Sequence, residues 1–211
     1  MSIFNSKFPQ FFGVRRFFVL SRLFCVLFGI LPIFANEGST DEKRRIGRVQ
    51  ATYLTHLINF TQWDKTDLPA GQDSAKILIL GEDQKGIVEA FQFLVTQSKM
   101  KIEGKKVEVV HIQNNREVDA RNFLAQKPQV VFFLKNSDFP VNSAQKISPQ
   151  SLTVGNGREF VEVTEGDIAF VTNKNRVRLV MRKGTFTRKS PKLSSRISIL
   201  RNVVEIVSKP R

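Results

Sequence analysis

The sequence predicts an α/β domain of three layers, a largely parallel sheet flanked by helices, with a C-terminal antiparallel hairpin and a closing helix. Two kinds of observation carry this. Short, continuous apolar runs such as Lys76–Leu80 and Gln129–Leu134 read as strands buried on both faces, and they alternate with segments of helical period. After residue 167 that rhythm gives way to two adjacent strand patterns around a short polar turn, the mark of a hairpin. Strands alternating with helices require right-handed crossovers, hence a parallel arrangement.

The elements follow in order. Residues 1–35 read as an export signal: Arg15 and Arg16 precede an apolar run from Leu23 to Phe34, and Ala35 supplies a small residue for cleavage. Nine of the 19 phenylalanines fall in this stretch. The uninterrupted apolar run of about a dozen residues is short of the roughly 20 that a spanning helix needs, so a cleaved signal is expected, with a retained N-terminal anchor as the alternative. Residues 36–45 read as a flexible lead-in and 46–211 as one domain. Within it Ile46, Val49, Tyr53, Leu57 and Phe60 recur at spacings of three and four, an amphipathic helix. Residues 64–75, with Pro69 and Gly71, are loop chemistry. Lys76–Leu80, Val107–Ile112, Gln129–Leu134 and Leu152–Val154 are the expected strands. Helices are expected around Ile87–Val95, Val118–Leu124 and 143–148. Ile168–Thr172 and Arg176–Met181 form the hairpin, expected at an edge of the sheet, and Leu193, Ile197, Leu200, Val204 and Val207 have the spacing of a final amphipathic helix.

Charge is distributed unevenly. The chain has 211 residues, 41% hydrophobic and 25% charged, with a net charge of +14, which excludes wholesale disorder and a multi-span membrane protein. Residues 36–170 carry 17 basic and 18 acidic side chains, whereas 171–211 carry 12 basic side chains against Glu205 alone. Arg176 and Arg178 alternate on one strand and so share a face; with Arg182 and Lys183 they are the expected partner-binding residues. Nucleic acid is not expected, because Phe186 is the only aromatic among these cations and single strands are held by stacking. For an exported protein the counter-charge is an acidic protein surface or an anionic membrane. A homodimer is left open.

No catalytic constellation assembles from the sequence, and no cofactor is expected. Gly81–Gly86 joins a strand to a helix, but Ile87 and Val88 stand where a phosphate loop needs Lys and Ser or Thr. Glu82 and Asp83 have the position of a receiver-domain acidic pair, yet Leu134-Lys135-Asn136 supplies no phospho-accepting aspartate. His56 and His111 have no ligands at metal spacing. Gly155-Asn156-Gly157 reads as a turn, and Glu159 and Glu162 as a solvated acidic loop. Cys25 is the single cysteine, so no intrachain disulfide can form.

Ala51-Thr52-Tyr53-Leu54, Ile58-Asn59-Phe60 and Trp63 resemble the opening signature of the YfiR-like family of periplasmic regulatory proteins. The resemblance continues through Ile77–Gly81, Val130–Phe133, Leu152–Val154, Gly166–Phe170 and Ser194-Ser195-Arg196, covering about residues 46–207. It implies a core signature of Tyr53, Phe60, Trp63, Ser195 and Arg196. It also implies a regulator without catalytic activity that restrains an inner-membrane signalling partner, often a diguanylate cyclase making cyclic di-GMP, through that partner's periplasmic domain. The competing class is a periplasmic small-molecule binding module feeding a sensor kinase or transporter. The chain departs from the family pattern in three places. Asp64 replaces a proline, Glu165-Gly166 stands where two glycines are common, and Met181-Arg182 replaces a polar Ile-Asn pair. The disulfides of several members have no counterpart here.

Overall fold

A computed structural model describes residues 40–67, 71–173, 176–199 and 202–208. The expected signal segment with Cys25 and Ala35 lies outside the described residues, as do Lys174 and Asn175 of the hairpin turn. The first helix, α1, spans 40–59, so residues 40–45 of the expected lead-in are helical. There follow β1 (Thr61–Gln62), β2 (Ser74–Leu80), α2 (Ile87–Gln97), β3 (Lys101–Ile102), β4 (Lys105–Ile112), α3 (Glu117–Leu124), β5 (Val130–Phe133) and α4 (Val141–Ile147). The chain continues through β6 (Leu152–Asn156), α5 (Glu159–Glu162), β7 (Ile168–Asn173), β8 (Arg176–Arg182), α6 (Gly184–Thr187), β9 (Lys192–Leu193) and β10 (Val204–Val207).

Eight strands form one mixed sheet in the order β10-β8-β7-β6-β5-β2-β4-β3. The strands from β4 across to β7 are parallel. β8 returns antiparallel to β7, the C-terminal hairpin, with Phe170 opposite Leu179. β1 and β9 pair separately. At the far edge β3 folds back on β4 through Glu103 and Gly104, both at positive φ, the backbone a two-residue hairpin turn demands.

Alternation along the central strands builds a core on each face. Ile77, Ile79, Val130, Phe132 and Phe170 meet Leu54, Leu57 and Ile58 of α1 and Phe91 of α2. Leu78, Leu80, Val131 and Phe133 point the other way, against Leu124 of α3, Ala144 of α4 and Phe160 of α5. This two-sided burial is why those strands read as unbroken apolar runs. Each large side chain so buried contributes about 1.5–3 kcal/mol.

Two close approaches fix the layers. A Cβ on Gly47 of α1 would lie 2.1 Å from the Lys85 carbonyl oxygen, so only glycine lets the helix rest on the turn after β2. Phe160 is clasped between the backbones of Gly155 and Gly166, where added Cβ atoms would fall 2.2 and 2.1 Å from its ring. Beside it, Glu165 has φ 58°, a left-handed conformation that glycine adopts without strain.

Three expectations are corrected. The closing helix is instead β9, a 3-10 turn over Ser195–Ile199, and β10. The β-branched Val203-Val204 and Ile206-Val207 favour extended backbone over the helical spacing of the apolar positions. The hairpin does not end the sheet, because β10 lies outside it and pairs in parallel with β8, Val204 opposite Leu179 and Val207 opposite Arg182. The acidic loop contains α5, whose Phe160 and Val161 are buried.

Candidate partner-binding notch

The carboxyl ends of β2 and β5 flank the point where the strand order reverses, the usual ligand site of an open α/β sheet. Here it is closed to phosphate. Asp83 turns its carboxylate onto the start of α2, accepting from the backbone N–H groups of Ile87 (3.0 Å) and Val88 (2.8 Å). The positive end of the helix is thereby already matched with a negative charge. The remaining cavity beside Leu134, Lys135 and Asn156 measures about 30 Å³, enough for about one water. Burial pushes the Lys85 ammonium below its ordinary pKa, and the charge of Lys135 adds to the effect. His111 Nε2 lies 2.7 Å from the Gly81 carbonyl oxygen; a carbonyl only accepts, so this nitrogen carries the proton. Glu162 is paired with Arg158 at 2.9 Å. Among the described residues no three His, Cys, Asp or Glu side chains converge as metal ligands.

A larger concavity opens at the other side of the fold. A notch of about 740 Å³ lies between α1 and the first half of β8, walled by Val49, Tyr53, Val177, Val203, Asn202 and the two arginines Arg176 and Arg178. Its origin is the register of the last strand. β10 begins opposite Leu179, so among the described residues no strand pairs with the outer edge of β8 from Arg176 to Arg178. Leu179 donates its N–H toward the β10 side, to the Val203 carbonyl at 2.7 Å. Strand alternation therefore turns the backbone groups of Val177 into the notch as well.

The side chains divide around that edge. Val177 is buried with the α1 core, while Arg176 and Arg178 are exposed and project from the opposite face of the sheet. Among the described residues no carboxylate lies within ion-pair distance of either arginine. Tyr53 is half-buried and Val49 is 36% exposed, so the apolar stripe of α1 reaches past the core into the notch wall. The arrangement offers main-chain hydrogen bonds, two guanidinium groups and an aromatic face. Among the described residues it offers no nucleophile paired with a base.

Arg182 has a different place. Asp167 is 1% exposed and accepts from Arg182 (3.2 Å), Arg188 (2.9 and 3.2 Å), and the backbone N–H and hydroxyl of Thr153 (both 2.9 Å). Arg188 also donates to the Pro191 carbonyl. This cluster ties β6, the start of β7, the end of β8 and the segment beyond α6 together. Lys183 donates its backbone N–H to the Val207 carbonyl at 2.8 Å, at the far end of β10 from the notch. Of the four expected partner-binding residues, the notch thus holds Arg176 and Arg178.

The signature residues separate too. Trp63 is 6% exposed and donates its indole N–H to the Gln129 carbonyl at 3.3 Å. Phe60 is partly buried against the same core, whereas Ser195 and Arg196 are exposed in the 3-10 turn. Asp64, in place of the family's proline, accepts from the Thr66 N–H (3.1 Å) and hydroxyl (2.9 Å), fixing the turn by capping. Those bonds, the backbone one first, hold its carboxyl below the usual range. Sequence reasoning missed Asn202 and Val203 as notch residues and Asp167 as a buried hub. The lone acid between Gly166 and Ile168, ahead of so many cations, was the available clue to the hub.

The sequence profile of the YfiR/HmsC-like family, whose members are periplasmic and regulatory rather than catalytic, matches residues 47–200. That span includes α1 and β8 and leaves β10 beyond it. A search among curated proteins returns no match. With well over half of its length matched, the chain belongs to the YfiR/HmsC-like family.

Proposed function

We propose that the protein is a non-catalytic periplasmic regulator of cyclic di-GMP signalling, exported through a cleaved signal ending at Ala35. It restrains an inner-membrane diguanylate cyclase by docking on that enzyme's periplasmic domain through the notch. The observation that supports this reading is a length of β8 edge, Arg176 to Arg178, that no strand pairs among the described residues, with the two arginines beside it. Unpaired strand edges are natural sites for another chain, and two exposed guanidiniums with no carboxylate at ion-pair distance among the described residues select an acidic one. The basic segment that follows speeds encounter with the acidic partner and with the anionic membrane around it, an effect that fades with salt.

The test is Arg176→Glu combined with Arg178→Glu. Exposed charges cost within roughly half a kcal/mol, so the melting temperature stays put. Cellular cyclic di-GMP rises as the cyclase is released. Unchanged cyclic di-GMP with a stable, exported double variant would remove the notch from the docking site.

The volume of the notch also falls in the range of small-molecule pockets, roughly 300–1,000 Å³. That favours, as the second reading, a binding module feeding a sensor kinase or transporter. Co-purification from detergent-solubilised membranes separates the two: a stoichiometric membrane protein supports the regulator, and a retained metabolite alone supports the module.

A further inference from the structure

Past the notch the edge of β8 is already occupied. From Leu179 to Arg182 it pairs in parallel with β10, and the Leu179 and Lys183 N–H groups donate to Val203 (2.7 Å) and Val207 (2.8 Å). β10 is thinly held by comparison with the interior strands. All four residues of β5 are buried, but none of the four in β10 is, and Ile206 is 45% exposed. Apolar contact reaches it only at the margins: Val204 is partly buried against one core and Val207 against the other. To these marginal contacts are added the backbone ladder and an ion pair: Arg158 donates to Glu205 through both terminal nitrogens, Nη1 at 2.9 Å. The Arg158 hydrogen bond holds the Glu205 carboxyl below its ordinary range, with the charge of Arg178 adding to it. Glu205 is also the only acid in residues 171–211.

We propose that β10 is a releasable cover over a strand-addition site, and that the external ligand of this site is an extended acidic segment of a partner protein. That segment enters parallel to β8 with a carboxylate in the place of Glu205. Main-chain pairing is available to any extended sequence and supplies affinity. Selectivity comes from charge: Arg158 and Arg178 surround the Glu205 position, and Arg176 stands just upstream in the notch. A basic strand is repelled there. An acidic segment landing in the notch lies directly in line with β10 and can replace it one residue at a time, each ladder bond lost being replaced by an equivalent one. Tethering keeps β10 at high effective concentration, so the covered state prevails until a competitor binds. The inference rests on the docking reading only for where the partner comes from; the exchange is a property of this chain alone.

The experiment uses the mature full chain and a fluorescein-labelled synthetic peptide, Asn-Val-Val-Glu-Ile-Val-Ser, copying residues 202–208. In the wild type, β10 amides exchange with deuterium at least 100-fold faster than those of β5. Glu205→Arg places a cation against Arg158 and Arg178, removes the remaining protection of β10, and lowers the Kd for the peptide at least tenfold. A peptide with arginine in place of its glutamate binds at least tenfold more weakly. Three results each overturn the proposal. They are β10 protection equal to that of β5, β10 still protected in Glu205→Arg, and a released β10 with no gain in peptide affinity. Because no cyclase is present, failure here leaves the cellular test of the notch standing, and the reverse also holds.

Discussion

Single residues decide how firmly this domain holds together. Trp63 fills the core just past β1, and its indole N–H has the Gln129 carbonyl as partner. Trp63→Ala should cost about 3–5 kcal/mol, the transfer and cavity loss of a large buried aromatic, read by urea denaturation. Asp167 is the second decisive position. Asp167→Asn leaves the guanidiniums of Arg182 and Arg188 without their anion, and stability should fall by roughly 3 kcal/mol. That is the low end for breaking a buried pair, since both arginines keep some access to water. Trp63 could be read from the sequence because the family resemblance places it in a core signature, and a large aromatic side chain is most often buried. Asp167 could not. Nothing in a string of letters shows that cations 15 and 21 residues downstream fold back onto it.

At the scale of elements, the strands with two buried faces and the helices between them were legible, because continuous apolar runs and helical periods are strong local patterns. The C-terminal end was not. The apolar positions from Leu193 to Val207 satisfy a helical spacing, yet the β-branched residues among them and the waiting edge of β8 make a strand of the last four. Tertiary context overrode period, and with it went the expected exposed hairpin edge. The same strand carries a pH dependence. The Glu205 carboxyl titrates below its unfolded value, so its contribution to holding β10 is complete above the ordinary carboxylate range. It is lost as pH falls through the lowered value. After correction for intrinsic exchange rates, β10 amides should therefore lose protection on acidification while β5 amides do not. Glu205→Gln should abolish that difference.

Across the whole molecule, charge is what meets a partner. Not all of the positive charge of residues 171–211 is available, because Arg182 and Arg188 are held on Asp167. The outward cations that remain should accelerate association without deciding the final affinity. The association rate with an acidic partner domain should drop steeply between low and physiological salt, with a much smaller change in dissociation, as stopped-flow measurements at several ionic strengths can show. A single cysteine also means that reductant has no intrachain bond to break. The melting temperature of the domain should be the same with and without dithiothreitol, whatever redox behaviour disulfide-bearing family members have.

The chain contains one tyrosine and one tryptophan, and the first helix and the turn after it place them in opposite environments. Tyr53 lies on the wall of the notch, and Trp63 sits dry in the core. Nature has thus left two chromophores ten positions apart that report separately. An occupant of the notch should alter tyrosine emission and its energy transfer to the indole while the tryptophan emission maximum stays fixed. Loosening of the core should instead move the tryptophan maximum to the red. Docking and unfolding can therefore be told apart in the unlabelled protein by its own light.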